Sequence, residues 1–132
     1  MNKILVLTHG TISEGIKIAL RVITSEDEAV DTMCIMEDTP VEKIKEDINN
    51  YLNGCDGNKP VFIVTDIPFG STTTLSAPFI GDYPNLHIIS GLNLAMMMAM
   101  VTQDLSEDTE DKVKKIIEEC KQTIMYVNDH MK

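Results

Sequence analysis

Lys3-Ile4-Leu5-Val6-Leu7-Thr8-His9-Gly10 is the stretch on which the fold turns. Residues 3–8 (KILVLT) form a continuous apolar run rich in branched side chains, the pattern of a strand buried on both faces. Thr11-Ile12-Ser13-Glu14 follows with the S/T-x-x-E spacing of a capping box, which predicts a helix starting there. Ile12, Ile16, Ala19, Leu20 and Ile23 share one face of that helix at helical spacing. Residues 29–36 read as a second strand, less hydrophobic and so nearer an edge. Thr39-Pro40-Val41-Glu42 is another capping box, with Pro40 at the first helical position, and Val41, Ile44, Ile48 and Leu52 supply its apolar stripe before Asn53-Gly54 stops it.

Residues 61–65 (VFIVT) form the second strongly buried strand, with Asp66 directly after it. Ser71 is expected to cap a helix through Thr74 and Leu75 that Pro78 kinks or ends. Residues 87–90 predict a fourth strand, and Asn93 a cap for the Met-rich helix 94–101. Ser106 opens an acidic first turn, after which Val113, Ile116, Ile117, Cys120 and Ile124 lie on one helical face; residues 124–127 could instead be a short strand. Strands alternating with helices imply βαβ units, hence a three-layer α/β/α fold with a mainly parallel sheet. Right-handed crossovers and an edge-like second strand give the order 2-1-3-4. In such sheets ligands bind at the carboxyl ends of the strands where the order reverses. Here that point lies between strands one and three, beside His9-Gly10 and residues 66–71.

Composition narrows the function. The 132 residues fit one domain, 1–132, and carry a net charge of -10 with few aromatic side chains, no Trp among them. Nucleic acid and anionic membrane are therefore excluded as partners. The apolar run 4–7 is too short for a signal peptide, and no stretch reaches membrane length, so a soluble, cytoplasmic protein is expected. Cys34, Cys55 and Cys120 are widely spaced without a C-x-x-C pair, which argues against a disulfide framework and a zinc knuckle.

Of the three histidines, His130 sits in a polar tail and His87 inside a strand, where packing or a structural hydrogen bond is the expected role. His9 follows a buried strand directly and precedes a glycine and a helix start. A carboxylate at Asp66 that accepts its Nδ1–H fixes the tautomer and leaves Nε2 as a nucleophile. Gly70-Ser71-Thr72-Thr73-Thr74 adds a glycine that allows close approach and hydroxyls that can donate to phosphoryl oxygens. The expected set is His9 as phosphoryl acceptor, Asp66 as its orienting group, and Gly10, Gly70, Ser71 and Thr72 around the phosphoryl group. No metal site and no cofactor is expected. The chain has no G-x-x-x-x-G-K-[ST] loop, no G-x-G-x-x-G after the first strand and no G-x-S-x-G elbow.

The segment Thr8-His9-Gly10-Thr11-Ile12-Ser13-Glu14-Gly15 resembles the T-H-G-x-x-[AS]-E-G segment of the mannose-type enzyme IIA proteins of the phosphoenolpyruvate-dependent sugar phosphotransferase system. Val64-Thr65-Asp66 followed by Gly70-Ser71, and Gly91-Leu92-Asn93-Leu94-Ala95-Met96, resemble two further segments of that family in order and spacing. The resemblance implies a homodimer in which a fifth, antiparallel strand is exchanged. It also implies that His9 takes phosphate from the carrier HPr and passes it to an enzyme IIB component, here a separate chain, for coupled sugar uptake. Thr72-Thr73 stands where the family usually has Pro-Phe, and Ala95 replaces a Pro. Two alternatives stand beside this reading: the phosphotransfer subunit of dihydroxyacetone kinase, and a regulatory α/β module in which His9 is never phosphorylated.

Overall fold

Alternation along β1 (Lys3–His9) sets the architecture of the computed structural model, which describes residues 2–131. Ile4 and Val6 point to one face of the sheet and Leu5 and Leu7 to the other, and each face has its own core. On the first face α1 (Ile12–Ile23), α4 (Leu94–Thr102) and α5 (Thr109–Lys121) bury Leu20, Met96, Met97, Met100, Val113 and Ile116. On the second, α2 (Val41–Asn53) and α3 (Ser71–Ser76) pack Ile44, Ile48, Leu52 and Leu75 against Leu5, Leu7 and Ile63. The result is a three-layer α/β fold with a parallel four-stranded sheet in the order β2-β1-β3-β4, where β2 is Val30–Ile35, β3 is Val61–Thr65 and β4 is Leu86–Ser90. Both runs read as buried on two faces, residues 3–8 and 61–65, are the central strands. Among the described residues no helix is long and apolar enough to cross a membrane.

The helix starts depart from expectation. α1 begins at Ile12, and the Thr11 hydroxyl makes no cap; Thr8 Oγ1 instead accepts from the Ser13 amide at 3.0 Å. α2 begins at Val41 with Pro40 as the residue before its first turn, while Thr39 Oγ1 accepts from the Met36 amide. Gly70, not Ser71, precedes α3, and the helix gives way to a 3₁₀ turn (Ala77–Gly81) that contains Pro78. Asn93 does cap α4, its side chain accepting from the Met96 amide at 2.8 Å. α5 starts at Thr109, past Ser106. The stripe assigned to α1 is core only in part: Leu20 is buried and Ile16 packs against the core, but Ile12 and Ile23 at its two ends are exposed. Residues 124–127 add no strand; residues 124–126 are irregular and lead into a 3₁₀ turn (Val127–Met131), with Ile124, Met125, Tyr126 and Val127 exposed.

Candidate functional site

Hydrogen-bonded register between β1 and β3 brings the last residues of both strands to one edge of the sheet. His9 closes β1, and Gly10 takes a left-handed conformation, φ +59°, that turns the chain into α1. Asp66, the first residue past β3, reaches across to it. Asp66 Oδ2 accepts from the His9 amide at 2.9 Å and from His9 Nδ1–H at 2.8 Å. Burial pushes the Asp66 carboxyl up, but the two His9 bonds and a bond from the Thr72 hydroxyl outweigh it and hold the group below the usual carboxylate range. An ionised carboxylate can only accept, so in the neutral ring the proton sits on Nδ1 and the lone pair on Nε2.

That lone pair faces α3. Ser71 Oγ, at the first turn, donates to Nε2 at 3.1 Å. The His9 side chain is 41% exposed and the Asp66 side chain 12%, so the imidazole is open to solvent while the carboxylate is covered. Gly70 permits this closeness: a Cβ there would stand 2.7 Å from His9 Cε1. The ring opens on a cleft of about 440 Å³ whose walls include Gly10, Met36, Glu37, Val41, Ser71 and Leu75.

The structure thus brings His9, Asp66, Gly70 and Ser71 together. Two further members of the expected set have hydrogen-bond partners outside the cleft. Gly10 lines the cleft, but its amide donates to the Ile35 carbonyl at 2.8 Å and so is held by β2. The Thr72 hydroxyl, expected to face a phosphoryl group, is buried and donates to Asp66 Oδ1 at 2.8 Å. Sequence spacing gave no signal for that contact, nor for Met36, Glu37 and Leu75 as cleft walls. His87 packs on the Phe62 ring with centroids 5.5 Å apart, and His130 lies in the exposed C-terminal turn. Chemically, the constellation presents one imidazole nitrogen, Nε2, to the cleft while the opposite nitrogen of the same ring is tied to an anion.

Residues 3–117 match the EIIA-man family, described as the PTS system fructose IIA component. Among solved structures, the phosphotransferase system component EIIA from Streptococcus agalactiae superposes with a TM-score of 0.86 at 23% identity, over 98% of this chain and 99% of that one. The mannose/sorbose specific IIA subunit from Enterococcus faecalis gives 0.86 at 18% identity, over 95% and 93%. The PTS IIA protein associated with the fucose utilization operon from Streptococcus pneumoniae gives 0.83 at 18%, over 99% and 96%. At such identities the structural likeness speaks to the fold alone.

Proposed function

Because this chain belongs to the mannose-type enzyme IIA family and is a component of a sugar phosphotransferase system, we propose that it carries a phosphoryl group on Nε2 of His9, received from phospho-HPr and passed to a separate enzyme IIB chain in the cytoplasm. The observation that carries this reading is the 2.8 Å bond from Nδ1–H to Asp66, with Nε2 directed into an open cleft. In the transfer the Nε2 lone pair attacks phosphorus, an N–P bond forms on His9, and the N–P bond of the donor breaks. The donor imidazole leaves with that electron pair. His9 keeps its Nδ1 proton throughout, and Asp66 offsets the positive charge that develops on the ring. Ser71, freed from Nε2, turns its hydroxyl to a phosphoryl oxygen. No proton has to be removed from the nucleophile, so position and fixed dipoles supply the catalysis.

The chain lacks a Walker loop, so phosphoenolpyruvate with enzyme I and HPr should label it while ATP with Mg²⁺ should not. The His9→Ala variant should fold and take no label; His87→Ala and His130→Ala should be labelled like the wild type. Labelling of the His9 variant, or labelling by ATP alone, would refute the reading. We also propose a homodimer. The outer edge of β4 borders a groove lined by Ile80, His87, Ile88, Val113 and Ile117, and the apolar residues 124–127 of a second copy suit that edge. Light scattering should give twice the chain mass at micromolar concentration; a monomer mass would contradict it.

A further inference from the structure

We propose that Thr72 is a positioning residue which, through Asp66, sets the orientation of the His9 imidazole; the consequence for transfer rests on the phosphocarrier reading, the structural role does not. The carboxylate has two oxygens, and they are used differently. Oδ2 receives both His9 bonds. Oδ1 receives the Thr72 hydroxyl at 2.8 Å and the Ile67 amide at 3.1 Å. A carboxylate held at Oδ2 alone can rotate about its last torsion, which is broad for such a group, and exchange its oxygens. Holding Oδ1 as well removes that freedom and fixes the plane in which Nδ1–H must lie.

Thr72 is built for this role. It is fully buried at the start of α3, and a branched side chain there is stiff at its first torsion. Successive helical residues point about 100° apart, so Ser71 and Thr72 divide the work: one hydroxyl reaches Nε2 in the cleft, the other reaches the carboxylate behind it. A second charge-assisted bond also draws negative charge towards Oδ1, which moderates the pull of Oδ2 on the ring proton. The lowered proton affinity of Asp66, which Thr72 helps to produce against burial, agrees with this arrangement. Apart from His9 on β1, the other ionisable group lining the cleft is Glu37, after β2.

The test compares the unphosphorylated wild type with Thr72→Val, which keeps the shape without the hydroxyl, and Thr72→Ser, which keeps the hydroxyl. Carbon-detected NMR follows the Asp66 carboxyl titration, and nitrogen shifts report the His9 tautomer. Thr72→Val should raise the Asp66 midpoint by about half a unit to one unit and mix the tautomers, while Thr72→Ser stays close to wild type. Acceptance from phospho-HPr should slow about three- to tenfold in Thr72→Val and recover in Thr72→Ser. Should Thr72→Val fail to fold, Thr72→Ala should show the same shift. An unchanged carboxyl titration without the hydroxyl, or a Thr72→Ser variant as impaired as Thr72→Val, would overturn the proposal. If the wild type takes no label from phospho-HPr, the phosphocarrier reading falls, and the carboxyl titration still decides the role of Thr72.

Discussion

Asp31 and Asp66 lie towards opposite ends of the sheet, and each accepts two side-chain hydrogen bonds or ion pairs. At the amino end, Asp31 takes the Tyr51 phenol at 2.8 Å and pairs with the Lys3 ammonium at 3.1 Å, while Lys3 also lies over the Tyr51 ring. Every polar group there is spent on another. Burial, and then the Asp31 bond and charge, push the Tyr51 phenol far above its ordinary range, so it keeps its proton. At the carboxyl end Asp66 also satisfies its donors, but one of them is an imidazole with a second nitrogen that opens on a cleft. The difference is not polarity. A network becomes a reactive site when one member keeps an atom held only by a group that can turn away, as the Ser71 hydroxyl can from Nε2.

The first way to break this comparison is to neutralise the carboxylates in turn. Asp66→Asn should fold and lose about a hundredfold in transfer rate, less than the roughly four orders lost when a hydrolase triad loses its acid, because no proton leaves the nucleophile here. Stopped-flow transfer from phospho-HPr measures it, and a wild-type rate would remove Asp66 from the mechanism. The pH dependence follows with a definite sign. Asp66 is held below its ordinary range in the folded chain, so its share of stability is complete above about pH 4 and is lost as pH falls through the folded value. The stability gap between wild type and Asp66→Asn should therefore close on acidification, as followed by denaturant titration.

A smaller loss should follow from crowding the ring without touching its partners. Gly70→Ala places a Cβ 2.7 Å from His9 Cε1 and 3.0 Å from Ile67, so the ring or the loop must shift. A loss of about tenfold in transfer is expected, in line with the cost of small misplacements of a reacting group, with His9 ring shifts displaced in NMR spectra. Smallest of all is the change at the other end. Tyr51→Phe should cost about 1 kcal/mol of stability in urea unfolding and leave transfer within about twofold. A large loss of transfer there would erase the distinction between the two clusters.

How much of this was legible in the sequence differs from element to element. Residues 3–8 and 61–65 announced central strands because burial on both faces demands unbroken apolar runs. His9 and Asp66 were legible for the same reason: topology puts the ends of β1 and β3 side by side, whatever the side chains. The capping boxes misled because a hydroxyl has several amides within reach. Thr8 holds the Ser13 amide while the Thr11 hydroxyl makes no bond to the Glu14 amide that the capping box calls for, and Thr39 turned back to Met36. The α1 stripe misled at its two ends, Ile12 and Ile23, because a helical periodicity says which side chains align and not how much of that face the sheet covers. Thr72 was read as one more hydroxyl at the cleft; its direction depends on a loop conformation that six residues of spacing from Asp66 do not encode. Its departure from the proline usual in the resembled pattern thus bears on the carboxylate behind the ring rather than on the cleft.

The central claim is that Nε2 of His9, once the Ser71 hydroxyl turns away, is the reacting atom and that Asp66 keeps hold of Nδ1–H while it reacts. It is tested most directly by phosphorylating nitrogen-15-labelled protein with phosphoenolpyruvate, enzyme I and HPr, then recording phosphorus and nitrogen NMR at alkaline pH, where a phosphoramidate persists. The account predicts one phosphorus signal coupled to Nε2 of His9, a retained Nδ1–H, and loss of the signal on acidification. A phosphoryl group on Nδ1, on another residue, or in an acid-stable linkage would contradict it.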